Sequence, residues 1–186
     1  GEQVTSGLLA IALRRRGVNA RSWLGWQVPF KTDKYHSKAR ISKIECSDVG
    51  ISMEQGNVAV VAGFQGISDD GRISTLGRGG SDTSAVALAV ALKADRCDIY
   101  TDVDGIYTTD PRIAKDARRL NYIAFEEMLE LASLGAKVLQ TRSVELAMNN
   151  NLPIRVLTSM VESGIPNPGT LVCNEDKNME ERVVSG

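Results

Sequence analysis

The sequence predicts an α/β domain in which a mostly parallel β-sheet is covered by helices, and three observations lead to this fold class. Of 186 residues, 42% are hydrophobic and 24% are charged, which is the balance of a folded globular protein with a core of its own. Strand-like and helix-like segments alternate along the chain, as expected where helices connect parallel strands. Two long polar loops each follow a strand-like segment, and open α/β sheets bind ligands at the carboxyl ends of strands.

The first predicted element is a helix at the start of the chain. Apolar residues at positions 4, 8, 9, 11 and 12 fall near one helical face, and the pattern ends in Arg14, Arg15, Arg16 and Gly17. A cationic last turn followed by glycine is a frequent helix end. The helix is therefore expected to stop close to Gly17.

The segments that follow predict strands over residues 18–23 and 26–32 and a short helix over residues 39–44. The β-branched run at residues 58–63 predicts a strand buried on both faces. A loop of seventeen residues, 64–80, comes next, and loops of this length inside a compact domain are usually functional or disordered. Residues 81–93 then predict a helix with Ser81 as its N-cap and with burial on every side.

The second half repeats the alternation of strands and helices. A strand over residues 98–101 leads into an irregular stretch, 102–112. Two helices follow, over residues 125–134 and from about Lys137 to residue 149, hinged at Gly135. Strands over residues 154–158 and 170–173 complete the predicted sheet.

Charge and cysteine content exclude several classes of protein. The 22 basic and 23 acidic residues give a net charge of −1, so no bulk electrostatic attraction to nucleic acid or to an anionic membrane is expected. The longest apolar run has eight residues, 85–92, whereas a membrane span needs roughly 20, and no secretory signal opens the sequence. The three cysteines (Cys46, Cys97, Cys173) are far apart and suggest neither a disulfide framework nor a zinc site. We expect a reduced cytoplasmic protein with no metal held by its own residues.

A glycine-rich turn, residues 77–82 with the sequence GRGGSD, is the first candidate site. Glycines let the backbone approach a ligand closely, and the helix that follows offers free N–H groups to an anion. Arg78 adds a planar fork that suits a carboxylate or a phosphate. The turn is neither a Rossmann fingerprint nor a P-loop, and a flexible turn before a capped helix explains it equally well. Asp82 then only complements the helix dipole.

The second candidate site is the second loop, residues 101–112 with the sequence TDVDGIYTTDPR. Its spacing fails the EF-hand pattern, because the glycine comes too early and no glutamate ends the loop. Asp102 and Asp104 are able to orient a nucleotide or its Mg²⁺, with Tyr107 stacking and Arg112 meeting phosphate. Ordinary turn chemistry is the favoured alternative on composition alone.

Two single residues, Lys137 and His36, are further candidates. Lys137 stands near a predicted helix start, where the dipole disfavours a cation unless phosphate or solvent compensates, and both explanations remain open. His36, the one histidine, lies in a polar stretch and is predicted to be a surface residue rather than a base.

Five segments taken together resemble the aspartate kinases of the amino-acid kinase superfamily. They are residues 1–3 (GEQ), 61–66 (VAGFQG), 75–85 (TLGRGGSDTSA), 100–112 (YTDVDGIYTTDPR) and 132–140 (ASLGAKVLQ). The resemblance runs in unbroken order over about residues 1–173. It implies the amino-acid kinase (carbamate kinase-like) fold, in incomplete form, and ATP-dependent phosphorylation of the side-chain carboxylate of L-aspartate. The product, 4-phospho-L-aspartate, enters lysine, threonine and methionine synthesis.

The same resemblance assigns roles to individual residues. Glu2 would hold the substrate ammonium, Arg78 its α-carboxylate, and Gly79, Gly80 and Ser81 would line the aspartate site. Asp82 would organise the catalytic lysines, and Lys137 would act catalytically by contacting the ATP phosphates. The residues expected to surround ATP, which enters with Mg²⁺, are Thr101, Asp102, Tyr107, Thr108, Thr109, Asp110, Pro111 and Arg112. A homo-oligomer is expected for the full-length protein.

The sequence differs from the family pattern by omission. The family's chain opens with a Lys-Phe-Gly-Gly-Thr-Ser motif, which residues 1–186 do not contain, and it continues into paired regulatory ACT domains. We therefore expect a partial catalytic domain over residues 1–173 and a linker toward the ACT region over residues 174–186. Alone, this chain is expected to be weakly active or inactive, since one lost oxyanion-type stabiliser costs about 10²–10³ in rate.

Two other functions stay open at this point. One is a kinase of the same superfamily that acts on another acidic metabolite or on UMP. The other is a non-catalytic nucleotide-binding or assembly module. Competition by glutamate, N-acetylglutamate or UMP distinguishes the first, and ATP binding without turnover distinguishes the second.

Overall fold

A computed structural model describes residues 1–135, 138–160 and 168–175, and the chain divides into two compact units, Gly1–Lys93 and Ala94–Gly186. The helices are α1 Glu2–Arg15, α2 Ser47–Glu54, α3 Gly80–Ala91, α4 Phe125–Ser133 and α5 Thr141–Asn149. The strands are β1 Ala20–Trp23, β2 Phe30–Thr32, β3 Ile41–Ile44, β4 Val58–Val61, β5 Gln65–Ser68, β6 Ile73–Thr75, β7 Cys97–Thr101, β8 Tyr122–Ala124, β9 Ile154–Thr158 and β10 Thr170–Cys173. The predicted α/β class and mostly parallel pairing are confirmed.

The first unit contains two sheets. Strands β1 and β4 pair in parallel, and a four-stranded sheet has the order β3-β2-β5-β6 with β2 and β5 parallel. The hydrophobic core cluster of the first unit consists of Trp23, Val28, Phe30 and Val49. Burial of these large side chains is the main stabilising contribution to the unit.

Helix α1 begins at Glu2 as predicted and ends in the basic residues Arg14 and Arg15. Its buried residues are Ser6 and Ala10, whereas the apolar side chains of Val4, Leu8 and Ile11 are 65%, 62% and 55% exposed. The periodicity therefore predicted the helix correctly, although its larger apolar side chains face outward.

Three predictions for the segments between β2 and the glycine-rich turn were wrong. Residues 39–44 do not form a helix, because Ile41–Ile44 pairs with β2 as an antiparallel strand, and this pairing with Phe30 and Lys31 is not visible in the local pattern. The loop 64–80 contains the antiparallel hairpin of β5 and β6. Strand β4 is half-buried or exposed rather than buried on both faces, because β1 is its one partner strand among the described residues.

Helix α3 is confirmed, with no exposed residue between Asp82 and Leu92. Its N-cap is Gly79, in the left-handed conformation with φ +69°, so the prediction that Ser81 caps the helix was wrong. Ser81 instead lies in the first turn.

The second unit is built on one sheet with the order β7-β9-β10-β8. Strands β7 and β9 are parallel, as are β10 and β8, while β9 and β10 are antiparallel. Ile99, Val156, Val172 and Ile123 are buried on one face, and α4 packs against β8 and β10. The predicted strands at residues 154–158 and 170–173 are confirmed.

An ion-pair cluster lies on the other face of this sheet. The Asp98 carboxylate accepts hydrogen bonds from Arg155 Nη2 at 2.6 Å and from Arg96 Nε at 2.6 Å. Burial pushes the pKa of Asp98 upward, but the bonds from Arg155 and Arg96 outweigh it and leave that pKa below its ordinary value. The cluster therefore stabilises the fold only while Asp98 is ionised.

Asp98→Asn is expected to lower the free energy of unfolding by about 1–2 kcal/mol at pH 7, since it leaves two half-exposed guanidinium groups without their acid. A carboxyl with a lowered native pKa contributes stability above its unfolded pKa of about 3.9 and loses it as pH falls through the native pKa. Urea unfolding between pH 7 and pH 2.5 should show the difference from wild type shrinking below about pH 4. Asp116→Asn, at an exposed position, is the control; a difference that stays constant over this range would contradict the explanation.

Candidate functional site

The glycine-rich turn connects β6 to α3, and its conformation requires glycine. Gly77 and Gly79 have φ angles of +80° and +69°, which side chains rarely adopt. A Cβ atom added to Gly77 would lie 2.9 Å from the Ser37 carbonyl oxygen, and one added to Gly80 would lie 2.9 Å from the Phe64 ring. The backbone of the turn is therefore enclosed by two other segments, and its shape is fixed.

Glu2 and Ser81 meet beside this turn. Ser81 Oγ donates a hydrogen bond to Glu2 Oε1 at 3.2 Å, although the residues are 79 positions apart. Next to this pair, Gln3 Nε2 donates to Gln65 Oε1 at 2.8 Å. The fold thus brings the first residues of α1 to the first turn of α3, and Glu2 and Ser81 both belong to the set predicted to bind aspartate, which stays a prediction.

Arg78 projects from the turn as an exposed residue. Within residues 1–135, 138–160 and 168–175, no hydrogen bond or ion pair involves its guanidinium group. Asp82 lies two residues into α3 and is half-buried. A guanidinium fork without a protein partner is suited to bind a carboxylate bidentately.

Phe64 is a site residue that sequence reasoning missed. Its φ is +66°, an unusual value for a residue with a side chain. Its N–H donates to Ser84 Oγ at 3.1 Å, its carbonyl accepts from the Leu76 N–H at 3.0 Å, and Ser84 Oγ donates in turn to the Ser81 carbonyl. Strained backbone of this kind clusters at functional sites. Phe64 lies in the segment 61–66 that resembles aspartate kinases, but nothing in the sequence marked its conformation, because phenylalanine does not favour it.

The second loop leaves the carboxyl end of β7 in the second unit. Ser159, just after the parallel strand β9, donates its N–H and its Oγ to the Thr101 carbonyl at 2.7 and 2.9 Å. Further along, Ile106 N–H donates to the buried Thr170 Oγ1 at 2.8 Å. These bonds hold the loop at the strand ends where α/β sheets bind ligands.

Several charged groups of the second loop are already engaged with one another. Tyr107 Oη donates to Asp104 at 3.0 Å, and Arg119 Nη1 lies 3.4 Å from the same carboxylate. Burial, followed by the hydrogen bond to Asp104, raises the pKa of Tyr107. Asp104 therefore helps to hold the loop and is less available to a nucleotide than the sequence indicated.

Arg112 donates hydrogen bonds from Nε and Nη2 to the Asp110 carboxylate at 3.1 and 2.9 Å. The side-chain hydrogen bond from Arg112 lowers the pKa of Asp110. The Arg112 side chain is 88% exposed, so it is accessible, but a phosphate has to compete with Asp110. Asp102 is exposed and accepts a hydrogen bond from Thr101 Oγ1 at 3.1 Å. Thr108, Thr109 and Pro111 are exposed as well.

The remaining predictions concern Lys137, His36, the cysteines, metal binding and membrane-spanning helices. Lys137 lies outside the described residues, and α5 begins at Thr141, later than the predicted start near Lys137. His36 is exposed, as predicted. None of the three cysteines forms a disulfide bond. Among the described residues, no group of three histidine, cysteine or acidic side chains is placed to hold a metal ion. No helix in those parts of the chain has the length and apolar character to cross a membrane.

Comparison with known proteins gives the class to which this fold and these sites belong. Residues 1–158 match the model of the amino acid kinase family. The chain therefore belongs to the amino acid kinase family.

Individual relatives narrow the resemblance. The chain is 58% identical to an aspartate kinase of Pseudomonas putida, over 100% of this chain and 44% of that protein. The crystal structure of E. coli aspartokinase III in complex with aspartate and ADP superposes with a TM-score of 0.85 at 38% identity, over 96% of this chain and 40% of that chain. UMP kinase from Bacillus anthracis, with a TM-score of 0.66 at 18% identity over 93% of this chain and 66% of that one, shares the fold. The chain spans less than half the length of the aspartate kinases it matches.

Proposed function

We propose that this chain supplies the aspartate-binding and ATP-binding parts of an aspartate kinase, which transfers the γ-phosphoryl group of ATP to the side-chain carboxylate of L-aspartate. The observation that carries the proposal is the hydrogen bond from Ser81 to Glu2 beside the unpaired Arg78. It joins two of the five segments that resemble aspartate kinases. The 58% identity with the P. putida enzyme extends over the whole chain and supports the same function.

The aspartate site would use opposite charges for the two ends of the amino acid. Glu2 would accept the ammonium group, and the Arg78 fork would bind the α-carboxylate. Gly79 and Gly80 let the substrate approach the backbone, and Ser81 holds Glu2 in place. Such an arrangement fixes the side-chain carboxylate in one position, and positioning is most of what phosphoryl transfer needs from a protein.

The chemistry does not require a strong general base. A carboxylate with a pKa near 4 is ionised at pH 7 and is already the nucleophile, so the reaction does not need His36 as a base. What the reaction needs is positive charge around the moving phosphoryl group. Lys137, to which the resemblance to aspartate kinases assigns contact with the ATP phosphates, is the proposed source of that charge in this chain.

The ATP site would be formed by the second loop. The exposed side chains of Thr108, Thr109 and Arg112 surround its tip, and Tyr107 offers a ring whose hydroxyl is already satisfied by Asp104. Thr101, Asp102, Asp110 and Pro111 complete the proposed set. Parallel strands β7 and β9 end here, which is the usual position of a nucleotide in an α/β sheet.

Mg²⁺ fits this loop as an ion carried by the nucleotide. It is commonly bound by one or two carboxylates together with substrate phosphates, and Asp102 is an exposed carboxylate in the loop. Bound Mg²⁺ would neutralise phosphate charge. The chain's own contribution is the position of Asp102, which Thr101 Oγ1 fixes by a hydrogen bond.

The finer assignments belong to the same proposal. The reaction would be the first step of lysine, threonine and methionine synthesis, in the cytoplasm, by a homo-oligomeric enzyme. The exposed apolar side chains of α1 support the homo-oligomer, because they offer a surface against which another subunit could pack.

A chimera tests the function. This chain would replace the matching 187-residue segment of the P. putida aspartate kinase, and ADP release would be followed in a coupled assay with L-aspartate and MgATP. We expect turnover within about tenfold of the parent enzyme, because positioning groups are retained. An Arg78→Ala chimera is the matched control. A folded chimera that binds ATP without turning over aspartate would favour the non-catalytic nucleotide-binding module instead.

A further inference from the structure

The loop over residues 33–40, which connects β2 to β3, is fastened to the strand that leads into the glycine-rich turn. The His36 carbonyl accepts hydrogen bonds from Thr75 N at 2.7 Å and Thr75 Oγ1 at 2.6 Å. The Thr75 carbonyl accepts a third bond, from Ala39 N at 3.0 Å. Thr75 thus fixes the loop on both sides of Lys38.

The same loop touches the turn itself. The position of a Cβ on Gly77 lies 2.9 Å from the Ser37 carbonyl oxygen, 3.6 Å from Lys38 Cα and 3.7 Å from Lys38 Cγ. Lys38 therefore packs against the residue that precedes Arg78. Lys38 and Arg78, forty positions apart in the sequence, therefore stand on two segments of backbone that touch at Gly77.

The loop over residues 33–40 itself surrounds an open cavity and contributes more basic than acidic side chains to it, whereas Arg78 stands outside its lining. The cavity has a volume of about 770 Å³, within the range of ligand sites, and is lined by Asp33, Lys34, Tyr35, His36, Ser37, Lys38 and Arg40. Its one acid, Asp33, uses Oδ1 to accept from the Tyr35 and Arg40 N–H groups. Within the described parts of the chain, no acidic side chain pairs with Lys38 or with Arg78. Neighbouring cations without an acid attract an anion.

We propose that Lys38 is a second ligand-binding cation and that, together with Arg78, it receives a small dicarboxylate. Arg78 binds one carboxylate through its fork, and Lys38 provides a point charge for the other. The identity of the dicarboxylate as L-aspartate rests on the proposed function. Lys38 then helps to set specificity for a ligand with two carboxylates, and Thr75 is the positioning residue that holds its loop.

Equilibrium binding of L-aspartate and of succinate to the purified chain tests this. Lys38→Gln is expected to weaken the binding of both by about fivefold, the effect of one exposed charge pair, with a larger loss at low salt than at high salt. Lys38→Arg should restore binding. Lys43→Gln, which removes an exposed lysine paired with Glu45, is the control and should change neither affinity. Thr75→Val, which removes the hydroxyl donor and keeps the shape, should reproduce the loss, and Thr75→Ser should not.

The outcomes separate this inference from the proposed function. If Lys38→Gln weakens succinate binding while the chimera fails to phosphorylate aspartate, the dicarboxylate site stands and the kinase proposal fails. If the chimera phosphorylates aspartate and Lys38→Gln leaves its KM for aspartate unchanged, the role of Lys38 is refuted. Equal losses in Lys38→Gln and Lys43→Gln, or no binding of either dicarboxylate by the wild-type chain, would also overturn it.

Discussion

Replacing Arg78 with alanine is expected to weaken L-aspartate binding by about 100-fold, because the variant loses a two-pronged, charge-assisted contact with a carboxylate. Lysine at this position should recover only part of the loss, since an ammonium group cannot form the planar fork. ATP binding should not change, because the proposed ATP residues lie in the second loop. Isothermal titration with each ligand separates the two effects.

Arg72→Ala is the matched control, since Arg72 is an exposed arginine in the same unit. It removes the same net charge from a different position. If Arg72→Ala weakens aspartate binding as strongly as Arg78→Ala, the effect comes from net charge rather than from a specific contact. The assignment of Arg78 would then be wrong.

Gly169→Ala is expected to cause the largest loss of stability, about 4 kcal/mol. Gly169 has φ +66°, and an added Cβ would overlap the Val156 carbonyl oxygen and lie 2.8 Å from Leu157 Cδ2. The left-handed conformation costs a residue with a side chain about 1–2 kcal/mol, and overpacking against fixed backbone costs about 1–3 kcal/mol more. Val156 belongs to β9, at the centre of the second unit's sheet, so the clash cannot be relieved without moving that strand.

Urea unfolding of Gly169→Ala should be compared with that of Gly71→Ala. Gly71 has a similar φ of +76°, but no heavy atom of the described residues lies within 4 Å of its Cβ position. The free energy of unfolding of Gly71→Ala should therefore fall by only about 1–2 kcal/mol, which is the cost of the left-handed conformation alone. Equal losses in the two variants would show that the contact with β9 contributes nothing.

The sequence predicted those elements whose pattern is local. Strands β9 and β10 are rich in β-branched and apolar residues, and their predicted bounds match the structure. Strand β3 was predicted to be a helix, because the apolar spacing within residues 39–44 does not show their antiparallel pairing with β2. The β5–β6 hairpin did carry a signal, the Asp70-Gly71 pair between two short alternating runs, which is typical of a tight turn.

Residues of the candidate site could be predicted from the sequence where the residue type alone indicates what the side chain or backbone can bind. Arg78 and the glycines of the turn stood out because glycines let a ligand approach the backbone and arginine offers a planar fork for a carboxylate or phosphate. Glu2 was found only through the resemblance to aspartate kinases, because a contact over 79 positions leaves no local pattern. Phe64 and Lys38 were missed for the same reason, since backbone strain and long-range packing appear only in the fold. Lys137 stays a prediction.

Identification of the phosphorylated product tests the central claim most directly. The chimera would be incubated with MgATP and equal concentrations of L-aspartate, L-glutamate, N-acetylglutamate and UMP, and the acyl phosphates would be trapped with hydroxylamine and identified by mass spectrometry, with UDP measured in parallel. We predict aspartate hydroxamate as the dominant product, and its loss in the Arg78→Ala chimera. A dominant glutamate or N-acetylglutamate hydroxamate, or UDP, would contradict the account and assign this chain to another kinase of the family.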